Sequence, residues 1–250
     1  MERWLNKVAV VSGASSGIGA VIAADLVKNG FIVVALARRM DRLHEKQLAL
    51  SEDLRLRYHP RKCDVTDEAE VKNTFAWIEA NLGGTDVLVN NAGIATKGPL
   101  LTSEHDTESF RNVVDTNIMS VVYCVREAFH SMKKRKFDGH VVIINSVLGH
   151  SVPMRLAEDM NIYPATKHAV TAMVEIYRQA FSRTGTKVKV TSISPGIVET
   201  ELLPHMGAYR KAGKPLLYPE DVSNAILYAL STPPHVQIHE LILKSIGEEF

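Results

Sequence analysis

A tyrosine and a lysine four residues apart, Tyr163 and Lys167, are the side chains best suited to proton transfer. Residues at this spacing share one face of a helix, and Pro164 favours a helix start at Tyr163, because proline is tolerated in the first turn. A free phenol has a pKa of about 10, so a base near pH 7 needs a drop of about 3 units. We expect a Lys167 charge about 4–5 Å away to supply that drop. By itself this spacing is also typical of an exposed surface pair.

Polar side chains follow two buried strand patterns at the points where those strands end. Ser146 comes directly after the strand predicted at Val141–Asn145, and Asn-Asn-Ala-Gly at 90–93 ends an earlier strand. A serine hydroxyl at such a point can donate a hydrogen bond to a substrate oxygen as charge develops on it. Asn117 lies in the helix predicted after the Asn-Asn-Ala-Gly segment. These residues join Tyr163 as candidates for catalysis.

A glycine-rich loop follows the first predicted strand. Residues 12–19 read Ser-Gly-Ala-Ser-Ser-Gly-Ile-Gly, and a helical pattern follows. Glycines let the backbone turn tightly and approach a diphosphate, which then lies at the helix N-terminus. The spacing is GxxxGxG rather than the commoner GxGxxG, and the segment lacks the Gly-Lys-Ser/Thr ending of a P-loop. A plain turn between strand and helix is the alternative interpretation.

Two arginines end the second predicted strand, where a different residue type is common in dinucleotide-binding folds. An acidic residue about 20 positions past the glycine loop binds the ribose 2′-hydroxyl of NAD. This sequence has Arg38 and Arg39 there instead. Cations at a helix N-terminus are unfavourable unless an anion is nearby, which weakens the alternative of a solvated pair. The pair therefore predicts a 2′-phosphate and NADP as cofactor.

Short Val- and Ile-rich runs alternate with longer helical patterns along the chain. Buried strands are predicted at Val8–Val11, Ile32–Ala35, Val87–Asn90, Val141–Asn145 and Val188–Ser194, with weaker strands at Arg57–Cys63, which contains Pro60, and at Leu241–Ile246. Helices are predicted near 17–29, 39–50, 67–82, 104–136, 163–183 and 220–231, the third with Thr66 as its N-cap. This alternation predicts an α/β fold with a doubly wound parallel sheet and helices on both faces.

The composition excludes several classes of protein. The 250 residues include 29 Lys and Arg against 28 Asp and Glu, so the net charge of +1 gives no reason to expect a nucleic-acid or anionic membrane partner. No apolar run approaches about 18 residues, so no membrane span is expected. No signal peptide is recognised, so we expect a cytoplasmic protein. Cys63 and Cys124 form no CxxC motif, and His235 and His239 lack a third ligand, so we expect no metal.

Two long segments, 147–162 and 198–218, follow predicted strands. Segments of that length are usually functional or mobile, and open α/β sheets bind ligands beyond the carboxyl ends of their strands. The second segment keeps no helical period and contains large apolar side chains interrupted by Pro and Gly: Leu202, Leu203, Met206, Tyr209, Leu216, Leu217 and Tyr218. They predict a substrate lid near 198–218, with ordinary core packing as the alternative.

Taken in order, these motifs resemble the short-chain dehydrogenase/reductase family over essentially the whole chain. The resemblance rests on Ser12-Gly13-x3-Gly17-x-Gly19, Asn90-Asn91-Ala92-Gly93, Ser146, Tyr163-x3-Lys167 and Pro195-Gly196. It implies one Rossmann-like domain over 1–250 that binds a nicotinamide dinucleotide and transfers hydride. It implies that Tyr163 is the acid/base, and that Lys167 lowers its pKa and holds the nicotinamide ribose. It also implies that Ser146 orients the substrate oxygen and that Asn117 holds a water of the proton relay.

The resemblance further implies a set of cofactor contacts. Asp64 and Val65 flank the adenine, and Asn91 stabilises the sheet and lines the cofactor site. Ile197 and Thr200 contact the nicotinamide amide, and Arg38 has the position of a basic residue in NADP-preferring members. The residues expected to contact the cofactor are Gly13, Ser15, Ser16, Gly17, Ile18, Gly19, Arg38, Arg39, Asp64, Val65, Asn91, Ala92, Gly93, Tyr163, Lys167, Pro195, Gly196, Ile197, Val198 and Thr200.

The sequence departs from the family pattern in three places. Ser12 replaces the usual threonine but keeps the hydroxyl, and Pro164 follows the tyrosine where serine is commoner. Ser146 and Tyr163 are 17 positions apart, which is longer than the common spacing. The extra residues, Pro153–Ile162, fall in the substrate loop, so the substrates of other members are not a safe guide to the substrate of this chain.

Within the family, the Asn-Ser-x-x-Gly-His segment at 145–150 and the long apolar segment resemble the subgroup of insect farnesol dehydrogenases and dehydrogenase/reductase member 11 enzymes. We predict an NADP-dependent short-chain alcohol dehydrogenase/carbonyl reductase that acts on a hydrophobic alcohol or carbonyl compound, such as farnesol or a related terpenoid. The alternatives are a broad-specificity carbonyl or steroid reductase and a cofactor-binding regulator without turnover. The resemblance implies a homodimer or homotetramer packed through the helices near 104–136 and 163–183.

Overall fold

Val- and Ile-rich strands build the centre of the molecule, which a computed structural model describes for residues 1–96, 98, 100–101, 107–154, 160–202 and 206–248. The strands are β1 (Val8–Ser12), β2 (Ile32–Ala37), β3 (Tyr58–Lys62), β4 (Val87–Asn90), β5 (His140–Ile144), β6 (Lys189–Pro195) and β7 (Glu240–Leu243). All pair in parallel, in the order β3-β2-β1-β4-β5-β6-β7. The predicted parallel sheet is confirmed, and the strand ends shift by one to three residues.

The helices also follow the sequence prediction, with three differences, one of which is an additional helix at Met206–Lys211, in the 198–218 segment where no helical period was recognised. The helices are α1 (Gly17–Lys28), α2 (Met40–Leu48), α3 (Glu52–Arg55), α4 (Glu68–Leu82), α5 (Thr107–Val114), α6 (Ser120–Lys134), α7 (Tyr163–Arg183), α8 (Met206–Lys211) and α9 (Pro219–Ser231). The predicted 39–50 helix ends early, at Leu48, and the short α3 follows it. The predicted 104–136 helix is α5 and α6 joined by a π turn at Asp115–Met119, and its residues 104–106 lie outside the described residues.

The start of α4 corrects one prediction. Asp67, not Thr66, is the N-cap, because its carboxylate accepts hydrogen bonds from the backbone N–H groups of Ala69 at 2.8 Å and Glu70 at 3.1 Å. A carboxylate also interacts favourably with the positive end of the helix dipole. The Thr66 hydroxyl instead donates to Asp64 Oδ1 at 2.7 Å, so it belongs to the turn after β3.

Two apolar layers cover the sheet. On one face α1 and α9 pack with Trp4 and Phe31 against the sheet, and on the other α4, α6 and α7 pack around Leu88 and Ile143. Strands β1, β4 and β5 are buried along their whole length, which explains why their sequences show no polar alternation. Pro60 is accommodated because β3 lies at the edge of the sheet. Cys63 and Cys124 are free, buried thiols on the second face.

The strand order determines where a ligand can bind. The chain runs from β1 outward to β3, then returns to β4 beside β1 and runs outward in the other direction. The crossover connections diverge between β1 and β4, and the crevice at the carboxyl ends of these strands is the usual ligand site of such sheets. Among the described residues, no helix is long and apolar enough to cross a membrane. The same residues contain no group of three metal-ligating side chains.

Candidate active site

A cavity of about 420 Å³ opens at the carboxyl edge of the sheet. Its walls come from the segments that follow β1, β2, β3, β4, β5 and β6, together with the start of α7. It extends from the arginines after β2 to the tyrosine at the start of α7. Most residues predicted from separate motifs therefore line one cavity, whereas Gly19 and Asn117 are not among the described residues that line it.

The glycine loop forms one wall, and its glycines are required by packing. Gly13 has a φ of +67°, and a Cβ there would lie 2.9 Å from the Ala92 Cα. A Cβ on Gly19 would lie 2.4 Å from Asn91 Nδ2, so any side chain would push α1 away from the end of β4. Ser16 is the N-cap of α1 but makes no side-chain capping bond among the described residues, which leaves first-turn N–H groups for an anion. The loop therefore fits the diphosphate of a dinucleotide.

Ser12 ties this loop to the end of β4. Its hydroxyl donates to Asn90 Oδ1 at 3.2 Å and accepts from the backbone N–H groups of Asn91 and Ala92, both at 3.0 Å. The Asn91 side chain donates in return to the carbonyls of Ser12 at 2.9 Å and Gly13 at 3.3 Å. The network uses the hydroxyl group, so the serine retains the contacts that a threonine would make.

The end of the cavity beside Arg38 and Arg39, where the sequence predicts the adenosine and which we call the adenosine end, is polar and open to solvent. Arg38 and Arg39 line it, and Arg39 Nη2 lies 3.2 Å from Ser15 Oγ and 3.4 Å from Ser16 Oγ. Asp64 and Val65 line the cavity beside them. The two arginines provide cations and the two serines provide hydroxyl groups at one place, which is the donor set that a phosphate group requires.

The opposite end of the cavity is buried. Tyr163, Lys167 and Ser146 line it, and each is at most 7% exposed. Tyr163 is the first residue of α7 and Pro164 follows in the first turn, as predicted. Ser146 follows β5 and caps a short 3₁₀ turn at Val147–Gly149, where its Oγ accepts from Leu148 N at 3.1 Å. One helix and one strand end thus bring the phenol, the ammonium and the hydroxyl into one pocket.

Burial controls the electrostatics of this end. It raises the pKa of Tyr163 to about 12, although a hydrogen bond with Ser146 lowers the pKa in part. Burial also lowers the pKa of Lys167 to about 8. Lys167 does not offset the effect of burial on Tyr163 in the structure, so the lowering of the tyrosine pKa by Lys167 stays a prediction. Burial dominates because desolvation disfavours both charged forms, and because Lys167 Nζ donates to the Ile144 carbonyl at 2.9 Å and lies 5.6 Å from the Tyr163 ring centre.

Asn117 lies behind the pocket, inside the π turn. Its Nδ2 donates to the Ile94 carbonyl at 2.9 Å and to Thr166 Oγ1 at 3.1 Å, and its Oδ1 accepts from Ile94 N at 2.9 Å. The neighbouring Thr116, rather than Asn117, lines the cavity. The Asn117 side chain therefore connects the segment after β4 to the first turn of α7, and the predicted water relay stays a prediction.

The segment after β6 forms the remaining wall. Pro195 ends β6, and Gly196, Ile197, Val198 and Thr200 line the cavity. A Cβ on Gly17 would lie 3.2 Å from Thr200 Cγ2, so the glycine loop and this segment approach each other closely.

Comparisons with known proteins identify the architecture. A sequence model described as short chain dehydrogenase matches residues 7–210. The chain belongs to the short-chain dehydrogenase/reductase family.

Its relatives cover the full chain. It is 51% identical to a farnesol dehydrogenase from Aedes aegypti over 253 residues, with 100% of both chains covered. It is 42% identical to dehydrogenase/reductase SDR family member 11 from Gallus gallus, with 98% of both covered. A closed form of serine dehydrogenase complexed with NADP⁺ superimposes with a TM-score of 0.85 at 29% identity, covering 97% of this chain and 96% of that one. The chain is thus an oxidoreductase of a family that binds nicotinamide cofactors.

The segment predicted as a lid is anchored at both ends. Val198 forms a β-bridge with Leu217, and Leu217 N donates to the Ile197 carbonyl at 2.7 Å. Leu217 packs in the core, so the lid prediction is wrong for that residue, whereas Leu202 lines the cavity. Leu203 and the Met206 side chain lie outside the described residues. Of the loop at 153–162, residues 155–159 also lie outside them, and Met160 lines the cavity.

Several lining residues of this dehydrogenase fold were missed by the sequence analysis. They are Leu36, Ala37, Cys63, Thr66, Ile94, Thr116, Ile144, Asn145, Val147, Leu148, Met160 and Glu201. Glu248 was missed as well: its carboxylate lies 2.3 Å from where a Gly196 Cβ would be, and it accepts from Ile197 N at 3.4 Å. Most flank a named motif, so proximity in sequence was the available signal. Glu248 carries no such signal, because the fold alone brings it to Gly196.

Proposed function

We propose that the protein is an NADP(H)-dependent oxidoreductase that transfers hydride between NADP(H) and a hydrophobic alcohol or carbonyl compound. The observation that carries this proposal is the single cavity with Tyr163, Lys167 and Ser146 buried at one end and Arg38 and Arg39 at the other. A dinucleotide needs this combination: cations for a 2′-phosphate, a glycine loop for the diphosphate, and an acid/base beside the reacting carbon.

The residues that would hold the cofactor follow the cavity from end to end. Asp64 and Val65 would flank the adenine, and Arg38 and Arg39 would bind the 2′-phosphate. The diphosphate would be held at the N-terminus of α1 by Ser15, Ser16, Gly17, Ile18 and Gly19. The nicotinamide half would be held by Asn91, Ala92, Gly93, Tyr163, Lys167, Pro195, Gly196, Ile197, Val198 and Thr200. The bound nicotinamide supplies the acceptor or donor of hydride.

The protein's own part in the reaction is to orient the substrate oxygen and to move its proton. Ser146 Oγ donates a hydrogen bond to that oxygen, and Tyr163 exchanges a proton with it. Because burial raises the pKa of Tyr163 to about 12, the phenol is protonated at neutral pH and can donate its proton to a carbonyl oxygen without prior ionisation. In alcohol oxidation Tyr163 must first lose that proton, so the protein groups alone favour carbonyl reduction at neutral pH.

Apolar side chains around the catalytic end support a hydrophobic substrate. Val147, Leu148 and Met160 cluster with Tyr163 there, and Ile94 and Leu202 line the same cavity. The farnesol dehydrogenase to which the chain is 51% identical supports farnesol or a related terpenoid alcohol as the substrate. The alternative, a broad carbonyl or steroid reductase, shares the same pocket chemistry.

A substrate panel tests the proposal. Terpenoid alcohols, their aldehydes, steroids and small polar alcohols are supplied with NADP⁺ or NADPH, and turnover is followed through the absorbance of the reduced nicotinamide. Preferential turnover of terpenoids supports the proposed substrate, and comparable rates on all carbonyl compounds favour a broad reductase. Binding of NADP⁺ without turnover of any compound would favour the cofactor-binding regulator.

We further propose that residues 1–250 act as one catalytic domain, that 198–218 covers the substrate, and that the protein is a cytoplasmic homodimer or homotetramer packed through α5, α6 and α7. Ile176 on α7 supports an interface there, because this large apolar side chain is 62% exposed in the single chain. Light scattering of the wild type and of Ile176→Glu measures the oligomeric state. A monomeric wild type would contradict the proposed assembly.

A further inference from the structure

A carboxylate lies at the adenosine end of the cavity, among the arginines. Glu201 lies in the segment after β6, and its two carboxylate oxygens accept hydrogen bonds from Arg42 Nη1 at 3.0 and 2.8 Å. Arg39 Nη1 lies 3.9 Å from Glu201 Oε2. Glu201 lines the cavity together with Arg38 and Arg39. The arginines that follow β2 are thus already partly neutralised by a residue from the opposite wall.

The same arginine contacts both the carboxylate and the glycine loop. Arg39 reaches Ser15 Oγ and Ser16 Oγ through Nη2, and approaches Glu201 through Nη1. The hydrogen bond and charge of Arg42 hold the pKa of Glu201 below its usual value, so the carboxylate is ionised at neutral pH. A phosphate group bound between Arg39 and the two serine hydroxyls would therefore lie next to a fixed negative charge.

We propose that Glu201, held in place by Arg42, is a specificity-determining residue that competes with the cofactor 2′-phosphate for Arg39. It thereby limits the preference for NADP over NAD. This inference rests on the proposed binding of the 2′-phosphate by the arginines after β2. A cofactor with a free 2′-hydroxyl brings no charge to this place, so its affinity is independent of the Glu201 carboxylate.

An alternative role for Glu201 is structural: its ion pairs with Arg42 and Arg39 would hold the segment after β6 over the cofactor. The exposure of the ion pair argues against it. The side chains of Glu201, Arg42 and Arg39 are 63%, 36% and 48% exposed, and such pairs contribute little to holding two segments together. A phosphate with a charge of about −1.5 to −2 competes effectively for the same guanidinium groups. The two roles predict opposite effects when the charge is removed.

The chain offers a matched control two residues away. Glu199 lies in the same segment and also pairs with an exposed arginine, Arg210, at 3.3 Å. It is not among the described residues that line the cavity. Glu199→Gln therefore removes the same charge from the same segment without changing the arginines after β2.

The experiment measures binding rather than turnover. Calorimetry compares NADP⁺ with NAD⁺, and adenosine 2′,5′-bisphosphate with 5′-AMP, on the wild type, Glu201→Gln and Glu199→Gln. We expect Glu201→Gln to tighten NADP⁺ and the bisphosphate by about 3- to 10-fold, the scale of one or two exposed charge contacts, and to leave NAD⁺ and 5′-AMP within about 2-fold. Glu199→Gln should match the wild type for all four. The gain should shrink at about 1 M salt, where exposed charges are screened.

Two results would overturn the inference. Equal weakening of the binding of all four ligands by Glu201→Gln would show that Glu201 holds the segment after β6 in place. An unchanged ratio of bisphosphate to 5′-AMP affinity would show that Glu201 does not act at the 2′-phosphate site. Failure of the proposed NADP preference looks different: the wild type itself would then bind NADP⁺ no more tightly than NAD⁺.

Discussion

The two ends of the cavity use charge in different ways. At the adenosine end, Arg39, Arg42 and Glu201 are exposed, keep opposite charges next to one another and are screened by water. At the catalytic end, Tyr163 and Lys167 are buried, and burial shifts the pKa of each toward its neutral form. We therefore expect the exposed end to select a ligand through charge complementarity. At the buried end the charged form of each group is costly, which suits these groups to the proposed proton transfer.

The largest expected effect comes from removing the buried phenol. Tyr163→Phe keeps the ring and the packing but removes the only group of the constellation that can donate and accept the proton. We expect turnover to fall at least about 100-fold, the usual scale for a positioned acid/base, with NADP⁺ affinity within a few-fold. Steady-state kinetics and a binding titration check both.

Tyr177→Phe is the matched control for that change. Tyr177 lies on the same helix and burial also raises its pKa to about 12, but it packs against Phe181 away from the cavity lining. Its loss should leave turnover near that of the wild type. Near-normal turnover of Tyr163→Phe would instead exclude Tyr163 as the acid/base.

At the exposed end, the largest effect should come from reversing the charge of Arg38. A charge-assisted hydrogen bond to the 2′-phosphate contributes about 1.5–3 kcal/mol, which is about 10- to 150-fold in affinity. Arg38→Asp should therefore weaken NADP⁺ by that factor and leave NAD⁺ binding similar or tighter. Fluorescence or calorimetric titration with both cofactors measures the difference.

Arg183→Asp makes the same charge change at the far end of α7, about 30 Å from Tyr163 along a helix of this length. It should alter neither affinity by more than about 2-fold, because that separation exceeds several Debye lengths at physiological salt. Equal loss of NADP⁺ and NAD⁺ binding in Arg38→Asp would reject a 2′-phosphate contact.

The fold and the candidate residues of the buried end could be predicted from the sequence, whereas the pKa values at that end could not. The fold was predictable because the strands buried on both faces, such as β4 and β5, are continuous apolar runs. The candidate catalytic residues could be recognised because each lies in a short local motif, such as Tyr163 and Lys167 on one turn of α7. Their pKa values could not be predicted, since desolvation depends on the whole surrounding structure rather than on the spacing of the pair.

Contacts between segments distant in sequence were the other part that could not be predicted. Glu201 reaches Arg42 across 159 positions, and Glu248 reaches Ile197 across 51. No local pattern marks either glutamate. The π turn around Asn117 was also missed, because a helical periodicity near 104–136 does not reveal one inserted residue.

Burial of Lys167 should make stability depend on pH. Burial lowers the pKa of Lys167 from 10.5 to about 8 in the folded protein. The buried charge therefore reduces the unfolding free energy, by its full amount below about pH 8, and this penalty disappears as the pH rises to 10.5. We expect Lys167→Met to remove this penalty. The variant should gain unfolding free energy relative to the wild type at pH 7, and the difference should shrink by up to about 1.4 kcal/mol per pH unit above pH 8.

Denaturant unfolding at several pH values measures this linkage. Lys133→Met, on the exposed end of α6, is the control and should show no such dependence. A difference between Lys167→Met and the wild type that stays constant from pH 7 to about 10.5 would show that Lys167 is neutral, or fully solvated, throughout that range.

The smallest expected effect per step concerns the apolar wall at the catalytic end. Each substrate methylene buried against Leu148, Met160 and Leu202 should contribute at most about 0.8 kcal/mol, or about 4-fold in kcat/KM. Along a series of primary alcohols of increasing length, kcat/KM should rise while NADP⁺ affinity stays constant, because the residues of this wall are not among those proposed to hold the cofactor. Leu202→Ser should flatten this rise, since it replaces part of the apolar wall by a hydroxyl.

Leu48→Ser, an exposed position on α2 outside the cavity lining, should leave the slope unchanged. A flat or falling series in the wild type would contradict an apolar substrate wall, and an equal change of slope in both variants would trace the effect to something other than direct contact with Leu202.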